Sequence, residues 1–450
     1  MPSLRRRALS YFADSSPYFE WLADAPYPVF LDAGKPYSDR GRFSVITADP
    51  DTIISFDASD NTAIGVLISE AQEAIEGHTN AMASLSELPF CGGAIGYLSY
   101  ELGEAQQLSR PLDCDLPALL VGIYSWAIVV DHQQQHCELV VQGCCQSHWA
   151  QRLLDGEQPD GRRPATSHAG DFKLESAFHS PLDWPAYRQR FAQIQDYILA
   201  GDCYQINLTR QFSARYSGSP WQAYQRLRRA AAAPFSAYWD FGQGQLLSLS
   251  PERFIRADGG QLQTQPIKGT AARASDPKED ARLAEELQAS EKNRAENVMI
   301  VDLLRNDLSR NCVAGSVQAE NLLELQSFRT VHHLVSTVSG SLRADITPLA
   351  ALLDCFPGGS ITGAPKRRAM EIIAELEPSR RSLYCGSLFY LSASGHMDSS
   401  ITIRSFVCKN GVIRGWAGGG IVADSVAEEE FQETEEKLGK LMRALAELND

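Results

Sequence analysis

Residues 202–212, DCYQINLTRQF, constrain the fold more than any other segment, because their polar and apolar residues alternate with the period of a β-strand. The polar face comprises Cys203, Gln205, Asn207 and Thr209, and the apolar face comprises Tyr204, Ile206, Leu208 and Phe212. A strand with one polar face either lines a cavity or lies open to solvent at a sheet edge. The alternation is compatible with both arrangements.

The rest of the chain mixes strand and helix patterns. LLSLSPERFIR and QLQTQPIKGT flank the turn Asp258-Gly259-Gly260 and predict a hairpin. Three helix starts are predicted, at Asp183 with Pro185, at Asp276 with Pro277, and at Ser425 with Glu428. The helix after Asp276 is predicted to continue, with a break, through ENVMIVDLLRNDL. Because strands and helices follow one another without regular βαβ units, we expect an α+β fold with large antiparallel sheets and helices packed outside.

Two regions of the chain differ in character. Residues 1–155 carry strand-like stretches broken by turns, whereas residues 183–446 carry denser motifs. A polar segment that contains Gly, Pro and Gln, from about residue 156 to 180, is predicted to be a linker or exposed loop. We therefore expect an N-terminal region and a C-terminal region that holds the chemistry.

The composition limits the classes of partner. The chain has 450 residues, 44% of them hydrophobic, and can bury a substantial core. Its formal net charge of −15 argues against nucleic acid or an acidic membrane surface as partner. The N-terminal MPSLRRRALSYFADSSPYF lacks the apolar core of a signal peptide, and no apolar run reaches the length of a membrane span. The ten cysteines form no CxxC pair, so we expect free thiols in a cytoplasmic protein.

Acidic residues in two predicted helices suit a divalent cation. Glu430 and Glu433 share a stripe with Lys437, a pattern that is also typical of a solvated helix face. Glu296 shares the apolar face of its helix with Ile300, where an unpaired charge would be costly. Carboxylates that converge from two helices would suit Mg²⁺, which prefers oxygen ligands.

Three further features could carry chemistry. FPGGSITGAPKRRAM, residues 356–370, leads into a helix predicted to begin at Pro365, and it is either an anion site or a tight turn, as is the glycine cluster 418–420. Lys268, in PIKGT, is a nucleophile if it faces a closed site and a surface lysine otherwise. Glu252, in SPERF, suits either a general acid or a salt-bridge partner.

Together these segments resemble one family, the chorismate-utilising enzymes. The segments that carry the resemblance are SLSPERF, PIKGT, AENVMIVDLLRNDL, VHHLVSTV, FPGGSITGAPKRRAMEII, DSSITIRSF and AGGGIVADSVAEEEFQETEEK. They cover about residues 183–445, and LPFCGGAIGYLSYELG and LPALLVGIYSWAIVVDH extend the resemblance more loosely. The family includes anthranilate synthase component I, aminodeoxychorismate synthase component I, isochorismate synthase and salicylate synthase. The resemblance implies an anthranilate-synthase-like fold that binds chorismate and Mg²⁺.

Three positions separate the branches of this family. Gln205 stands where water-using members carry a lysine base, which implies that ammonia is the nucleophile. Lys268 stands where anthranilate synthases carry alanine, and Asn297 where they carry a histidine associated with pyruvate elimination. The resemblance therefore implies that Lys268 attacks C2 of chorismate, that ammonia then adds at C4, and that 4-amino-4-deoxychorismate keeps its enolpyruvyl group.

The other roles are carried over position by position. The resemblance implies that Glu252 protonates the departing C4 hydroxyl and that Glu296, Glu433 and the nearby Glu430 hold Mg²⁺. The implied substrate-binding residues are Gln205, Gly269, Thr270, Ser360, Tyr390, Arg404, Gly418, Gly419 and Lys437. Phe389 replaces the glycine that precedes the tyrosine in relatives. A structural tryptophan site is implied at Ala33, in place of the usual serine, and at Arg42, Phe43, Pro234, Phe235 and Ser236.

A partner subunit is also implied, because no Cys-His-Glu glutaminase block is visible in the chain. The resemblance implies a heterodimer with a separate glutamine amidotransferase that delivers ammonia. Anthranilate synthase component I is the alternative enzyme, against which Lys268 and Asn297 count. An inactive, tryptophan-binding scaffold subunit is the alternative of another class, and the complete set of site residues argues against it.

Overall fold

The computed structural model of this protein describes residues 3–34, 41–60, 62–159, 170–231, 233–328 and 331–447. Its helices are α1 (Ser16–Trp21), α2 (Ile64–Asn80), α3 (Tyr100–Leu108), α4 (His148–Asp155), α5 (Trp184–Leu199), α6 (Pro220–Ala230), α7 (Pro277–Ala289), α8 (Glu291–Ser309), α9 (Pro348–Cys355), α10 (Lys366–Leu376) and α11 (Ala427–Ala446). Its strands are β1 (Leu4–Ala8), β2 (Val29–Asp32), β3 (Phe43–Thr47), β4 (Thr52–Phe56), β5 (Gly93–Leu98), β6 (Leu119–Tyr124), β7 (Trp126–Asp131), β8 (His136–Gln142), β9 (Lys173–Leu174), β10 (Gln205–Ser217), β11 (Phe235–Asp240), β12 (Gln245–Ser250), β13 (Arg253–Asp258), β14 (Gln261–Gln265), β15 (Ile267–Ala272), β16 (Gln318–Ser327), β17 (Val331–Ser341), β18 (Gly363–Ala364), β19 (Ser387–Ser392), β20 (Met397–Ile401), β21 (Ser405–Lys409) and β22 (Val412–Ile421).

Two large sheets form the scaffold. The first sheet has the order β1-β8-β7-β3-β2-β11-β12-β21-β22-β10-β18, with β9 paired to β10. The second has the order β15-β17-β14-β13-β20-β19-β5-β6-β4, with β16 paired to β17. All strand pairings among the described residues are antiparallel, as in the β10–β22 and β5–β19 pairs. The expected α+β fold with large antiparallel sheets is confirmed.

The first sheet separates two hydrophobic clusters. On β11, Trp239 joins the cluster that also contains Ile95 and Leu388 of the second sheet. The neighbouring Tyr238 points the other way and joins the cluster that contains Leu441 of α11. This alternation follows from the period of a strand, which sends successive side chains to opposite faces. One face of the first sheet therefore packs on the second sheet and the other packs under helices, with α11 on β22.

The predicted helix starts are confirmed in two of three places. The side chain of Asp183 accepts a hydrogen bond from the backbone N–H of Ala186 at the start of α5, and Asp276 accepts one from Glu279 at the start of α7. The long helix predicted after Asp276 is two helices, because Ser290 ends α7 and caps α8.

Two helix starts differ from the prediction. α11 begins at Ala427 rather than after a capping Ser425, because the Ser425 hydroxyl instead donates to Glu430 Oε1 at 2.7 Å. α10 begins at Lys366, so Pro365 is the residue before the helix and not its first residue. Both shifts are small, and the glycine-rich loop still leads directly into α10.

The hairpin prediction is confirmed for β13 and β14, which pair across the Asp258 turn. The preceding stretch is not part of that hairpin, because β12 belongs to the first sheet and β13 to the second. The chain crosses between the sheets at Pro251 and Glu252. Glu252 therefore lies at the junction of the two sheets.

Both sheets combine strands from the two regions of the sequence. β2 of the N-terminal region pairs with β11, and β5 pairs with β19. Residues 160–169 of the predicted linker lie outside the described residues. Residues 173–179, which follow, pair with the end of β10 through β9 and a bridge between His179 and Ser213.

β10 lies inside the first sheet, between β22 and β18. Its residues from Gln205 to Arg210 are buried on both faces. The solvent-edge alternative for the polar face is thus wrong, and the cavity alternative holds, because Asn207 lines a cavity.

All ten cysteines are free thiols, as expected. Within the part of the chain that the structure describes, no helix has both the length and the apolar character needed to cross a membrane.

Candidate active site

A cavity of about 650 Å³ collects most of the predicted site residues. It is bounded by β10, β15, β22, α8, α11 and the loop before β18. The predicted residues that line it are Glu252, Lys268, Gly269, Thr270, Glu296, Ser360, Arg404, Gly418, Glu430, Glu433 and Lys437. Segments that are almost 190 residues apart in the chain therefore meet in one place.

Glu252 is a buried acid of this cavity, with 6% of its surface exposed. Burial raises the pKa of the Glu252 carboxyl, against the opposing effects of Lys268 and of a 2.9 Å hydrogen bond that the Ser360 hydroxyl donates to Oε1. A raised pKa favours the protonated carboxyl. This is the form that a general acid needs.

Lys268 is placed by a β-bulge. The pairing of β15 with β17 shifts register between Ile267 and Thr270, and Gly269 within the bulge has a φ of +85°. An added Cβ at Gly269 would lie 3.0 Å from the side chain of Asn293, so both backbone conformation and space favour glycine here. The bulge lets the half-buried Lys268 line the cavity instead of following the strand alternation.

Arg404 supplies a second positive charge. It has a left-handed backbone, with φ 50°, immediately before β21. Burial lowers the pKa of Arg404, and Glu252 opposes that shift. Among the described residues, neither Lys268 nor Arg404 forms an ion pair, so both charges face the cavity. A site with two such cations suits a dianionic ligand.

Glycines in β22 bring α11 close to the sheet. A Cβ added at Gly419 would lie 2.6 Å from Glu430 Oε2 and 3.5 Å from Glu433 Oε2. Lys437 donates to the carbonyl of Gly418 at 2.8 Å and forms an ion pair with Glu433 at 2.6 Å. The stripe of Glu430, Glu433 and Lys437 therefore lines the cavity, and the solvated-face alternative is wrong for it.

Three carboxylates could contribute to a cation site. Glu430 is buried, Glu296 is half-buried, and Glu433 is more exposed. As they stand, no three acidic, His or Cys side chains among the described residues are close enough together to hold a metal ion. The donor set nevertheless suits Mg²⁺, because this ion binds oxygen, keeps several waters and needs only one or two protein carboxylates beside a substrate group.

Tyr390 is not brought to this cavity. It lies on β19, its ring stacks on His396, and it lines a second cavity together with Phe389. Tyr384 lines the active-site cavity instead, and its ring stacks on Trp416 with centroids 6.2 Å apart.

Two other predicted residues, Gln205 and Gly419, do not line the cavity but adjoin residues that do. The Gln205 side chain is buried, and its Nε2 is 2.8 Å from the position of a Cβ on Gly420. Gly419 faces the α11 carboxylates. Asn297 is fully buried and accepts a 2.7 Å hydrogen bond from the Ser336 hydroxyl, so it faces the protein interior.

The structure adds cavity residues that were not predicted. They are Asn207, Asn293, His333, Tyr384 and Trp416. His333 Nδ1 lies 2.9 Å from the Thr270 hydroxyl and belongs to the motif VHHLVSTV, so the motif could have identified it. Asn207 was visible on the polar face of β10. Tyr384 and Trp416 have no sequence signal that separates them from core aromatics.

The second cavity, of about 370 Å³, collects the predicted tryptophan-site residues. Those that line it are Arg42, Phe43, Pro234, Phe235 and Ser236. Ala33 is buried beside them, after the lining residue Asp32, and donates its N–H to the Ser44 hydroxyl. The charges at this cavity are paired within the protein, since Arg42 binds Asp131 and Arg253 binds Asp398.

The family model for chorismate binding enzyme matches residues 28–443. The chain belongs to the chorismate-binding enzymes. Aminodeoxychorismate synthase component 1 of Escherichia coli K12 is 43% identical over 440 residues, which cover 95% of each chain. Anthranilate synthase component 1 of Thermus thermophilus is 40% identical and covers 79% of this chain and 78% of its own. Membership of this family confirms the resemblance of the sequence motifs.

Solved structures of other chorismate-binding enzymes share the fold. Anthranilate synthase component I from Streptococcus pneumoniae TIGR4 matches with a TM-score of 0.77 at 31% identity, over 89% of this chain and 92% of that one. The menaquinone-specific isochorismate synthase MenF from Escherichia coli matches with a TM-score of 0.74 at 20% identity, over 99% of this chain and 95% of its own. The anthranilate-synthase-like fold is thereby confirmed.

Proposed function

We propose that this chain is component 1 of an aminodeoxychorismate synthase, which converts chorismate and ammonia to 4-amino-4-deoxychorismate on the route to 4-aminobenzoate and folate. The observation that carries the proposal is the position of Lys268 in the cavity that also holds the buried Glu252. The 43% identity to an aminodeoxychorismate synthase component 1 over 95% of both chains supports it. All of the catalytic residues proposed below lie in the region 183–446.

The proposed reaction proceeds in two displacement steps. Chorismate binds with its carboxylates toward Arg404 and Lys437, the Lys268 ammonium gives one proton to solvent, and the neutral Lys268 amine forms a bond to C2. The ring double bonds shift, the C4–O bond breaks, and Glu252 gives its proton to the departing hydroxyl, which leaves as water. Ammonia then forms a bond to C4, the C2–N bond to Lys268 breaks, and the surplus proton of the new ammonium group returns to Glu252. The amine of Lys268 and the carboxyl of Glu252 are thereby regenerated.

We propose Glu296, Glu433 and Glu430 as the residues that hold Mg²⁺. When bound, the ion would offset the charge of a substrate carboxylate. The glycine at position 419 supports this assignment, because it leaves room between β22 and the carboxylates of α11. Gly269, Thr270 and Ser360 then supply backbone and hydroxyl donors at the opposite wall.

We also propose that ammonia comes from a glutamine amidotransferase subunit in a heterodimer. The name component 1 of the related synthases supports a second component. For the second cavity we propose L-tryptophan as a structural ligand. Its aromatic walls Phe43 and Phe235, beside paired charges, suit an aromatic zwitterion.

Product identification tests the proposal. The purified chain would receive chorismate, Mg²⁺ and excess ammonium, with and without aminodeoxychorismate lyase, and products would be separated and weighed by mass spectrometry. We expect an amino acid that keeps the pyruvyl arm and that the lyase converts to 4-aminobenzoate. Direct appearance of anthranilate would instead establish the anthranilate synthase reaction. Unconsumed chorismate, both alone and with the amidotransferase subunit, would favour the scaffold alternative.

A further inference from the structure

A third cavity, of about 830 Å³, adjoins the active-site cavity. Trp416 lines both cavities. The walls of the third cavity come from α3, the loop before β6, the loop after α10, and β10 with β22. Trp416 is therefore part of the wall between the two spaces.

The third cavity contains two buried polar atoms that the described residues do not satisfy. Glu101 is 5% exposed, and its Oε1 accepts from the backbone N–H of Ser382 at 2.9 Å, but Oε2 has no hydrogen-bond partner among the described residues. Tyr100 is 2% exposed, and its hydroxyl also has no hydrogen-bond partner among the described residues. Burial raises the pKa of Glu101 to about 7. Most buried polar groups in proteins have a hydrogen-bond partner, so these two groups need an explanation, and a bound small polar molecule is one.

Alternate residues of β10 carry polar side chains from the active-site cavity to the third cavity. In the pairing with β22, Asn207 lies opposite Gly420, Thr209 opposite Gly418, and Gln211 opposite Trp416. These three β10 residues share one face, because their spacing is two. Gln211 lines the third cavity, and Asn207 lines the active-site cavity. Thr209 lies between them, 4% exposed, and its hydroxyl has no hydrogen-bond partner among the described residues.

We propose that the third cavity is the entrance for ammonia. Glu101 binds ammonium and accepts one proton, and the ammonia that is released passes along Gln211, Thr209 and Asn207 to the active-site cavity. In this step one N–H bond of ammonium breaks and an O–H bond forms at Glu101 Oε2, and Glu101 later returns the proton to water in the cavity. Neutral ammonia is small enough to pass beside Trp416, and it can donate to the hydroxyl and amide oxygens of the three β10 side chains. The inference rests on the proposed use of ammonia.

The first test is Glu101→Gln in the ammonium-dependent reaction of the full chain. We expect the KM for ammonium to rise by about tenfold or more, since a hydrogen bond to a charged group is lost, while the KM for chorismate stays within about twofold. Glu138→Gln is the matched control, because Glu138 is also a buried carboxylate, 4% exposed, but lies on β8. An unchanged KM for ammonium in a folded Glu101→Gln protein would overturn the entrance role.

A pH series separates proton transfer from a structural effect. The charged and titratable groups around Glu101 include Glu104 on its own helix, Asp115 and Cys114 from the loop before β6, and Glu377, Arg380 and Arg381 from the segment after α10. The Glu101→Gln variant lacks the proton acceptor, so it can use only the ammonia that is already neutral in solution. Its KM for total ammonium should therefore fall by about tenfold per pH unit between pH 7 and 9, as the fraction of free ammonia rises. The wild-type KM should change less steeply. Parallel slopes for both proteins would show that Glu101 takes no proton from ammonium.

Thr209 provides a second test that does not depend on Glu101. Thr209→Val keeps the shape of the side chain but removes its hydroxyl, and we expect a KM for ammonium several-fold higher, with Thr209→Ser restoring the wild-type value. Equal values for Val and Ser variants would exclude the route along β10. Failure of the proposed function itself has a different signature, because wild-type protein would then form either anthranilate or no aminated product at any ammonium concentration.

Discussion

The active-site cavity and the second cavity differ in how their charges are balanced. In the second cavity the arginines are matched by carboxylates of the protein, through the pairs Arg42–Asp131 and Arg253–Asp398. In the active-site cavity, Lys268 and Arg404 form no ion pair among the described residues. A cavity with internally matched charges suits a ligand without net charge, whereas one with open cations suits an anion. This difference in charge is consistent with the proposal that chorismate and a zwitterion bind in different cavities.

The two cavities also differ in where their walls originate. Every residue that lines the active-site cavity lies between 207 and 438. The second cavity takes residues 31–89 from the N-terminal region and 234–400 from the C-terminal region. A ligand in the second cavity would thus contact both regions and stabilise them, whereas the side chains that line the active-site cavity come from the C-terminal region alone.

The largest effect is expected for Lys268→Ala. Amination of chorismate should slow by on the order of 10³-fold or more, because the proposed nucleophile is lost, while binding of chorismate and Mg²⁺ stays nearly intact. Steady-state kinetics and calorimetric titration check the two parts, and Lys278→Ala, an exposed lysine on α7, is the control. Normal turnover by Lys268→Ala would show that Lys268 is not the nucleophile.

Glu252→Gln should lower kcat by roughly 10²- to 10⁴-fold, the usual range for loss of a general acid. Burial raises the pKa of Glu252, so the wild-type carboxyl stays protonated to higher pH than an exposed one. The wild-type rate should accordingly fall as pH rises through that raised pKa, and the variant should lack this alkaline limb. A kcat–pH series on both proteins checks the expectation, and an identical alkaline limb in the variant would assign it to another group.

Glu433→Gln and Glu296→Gln should each raise the Mg²⁺ concentration needed for half-maximal activity, by on the order of tenfold. The reason is that a neutral amide replaces a charged oxygen ligand. Glu429→Gln is the control, because Glu429 is exposed on the same helix as Glu433. If all three variants needed the same Mg²⁺ concentration for half-maximal activity, Glu433 and Glu296 would not be Mg²⁺ ligands.

The smallest effect concerns the second cavity. L-tryptophan at about 100 times its Kd should stabilise the wild-type protein by roughly 2.7 kcal/mol, seen as a higher Tm. Phe235→Ala should lose this increase, whereas Lys268→Ala should keep it, because the two cavities are separate. Thermal denaturation with and without tryptophan measures both. A tryptophan effect that disappears in Lys268→Ala would place the ligand in the active-site cavity instead.

The family resemblance of short motifs located the candidate site, whereas the residues alone left their roles open. Glu252, Lys268 and Ser360 lie in such motifs, and all three line one cavity. Tyr384 and Tyr390 show the limit, because the resemblance selected Tyr390, whereas Tyr384, six residues earlier, is the tyrosine that lines the active-site cavity. No periodicity in the chain contains that information.

The sequence predicted the fold class but not which sheet each strand joins. The alternating stretch around Glu252 looks like one strand, yet β12 and β13 belong to different sheets. A period of two is the same in either sheet, so a crossing cannot be read from it. The predicted cap at Ser425 was wrong for a related reason. The Ser425 hydroxyl donates to the side chain of Glu430, five residues later, and the capping pattern does not include that contact.

The interleaving of the two regions within both sheets has a consequence for synthesis of the chain. β2 can pair with β11 only after β11 has been translated. β5 can pair with β19 only after a further stretch of nearly 300 residues has been translated. Until then the nascent N-terminal region presents open strand edges, which are sites for wrong pairing and aggregation. Such distant pairings make folding slow. We therefore expect this protein to depend on chaperones during translation, and a fragment that ends near residue 155 to be recovered only as aggregate.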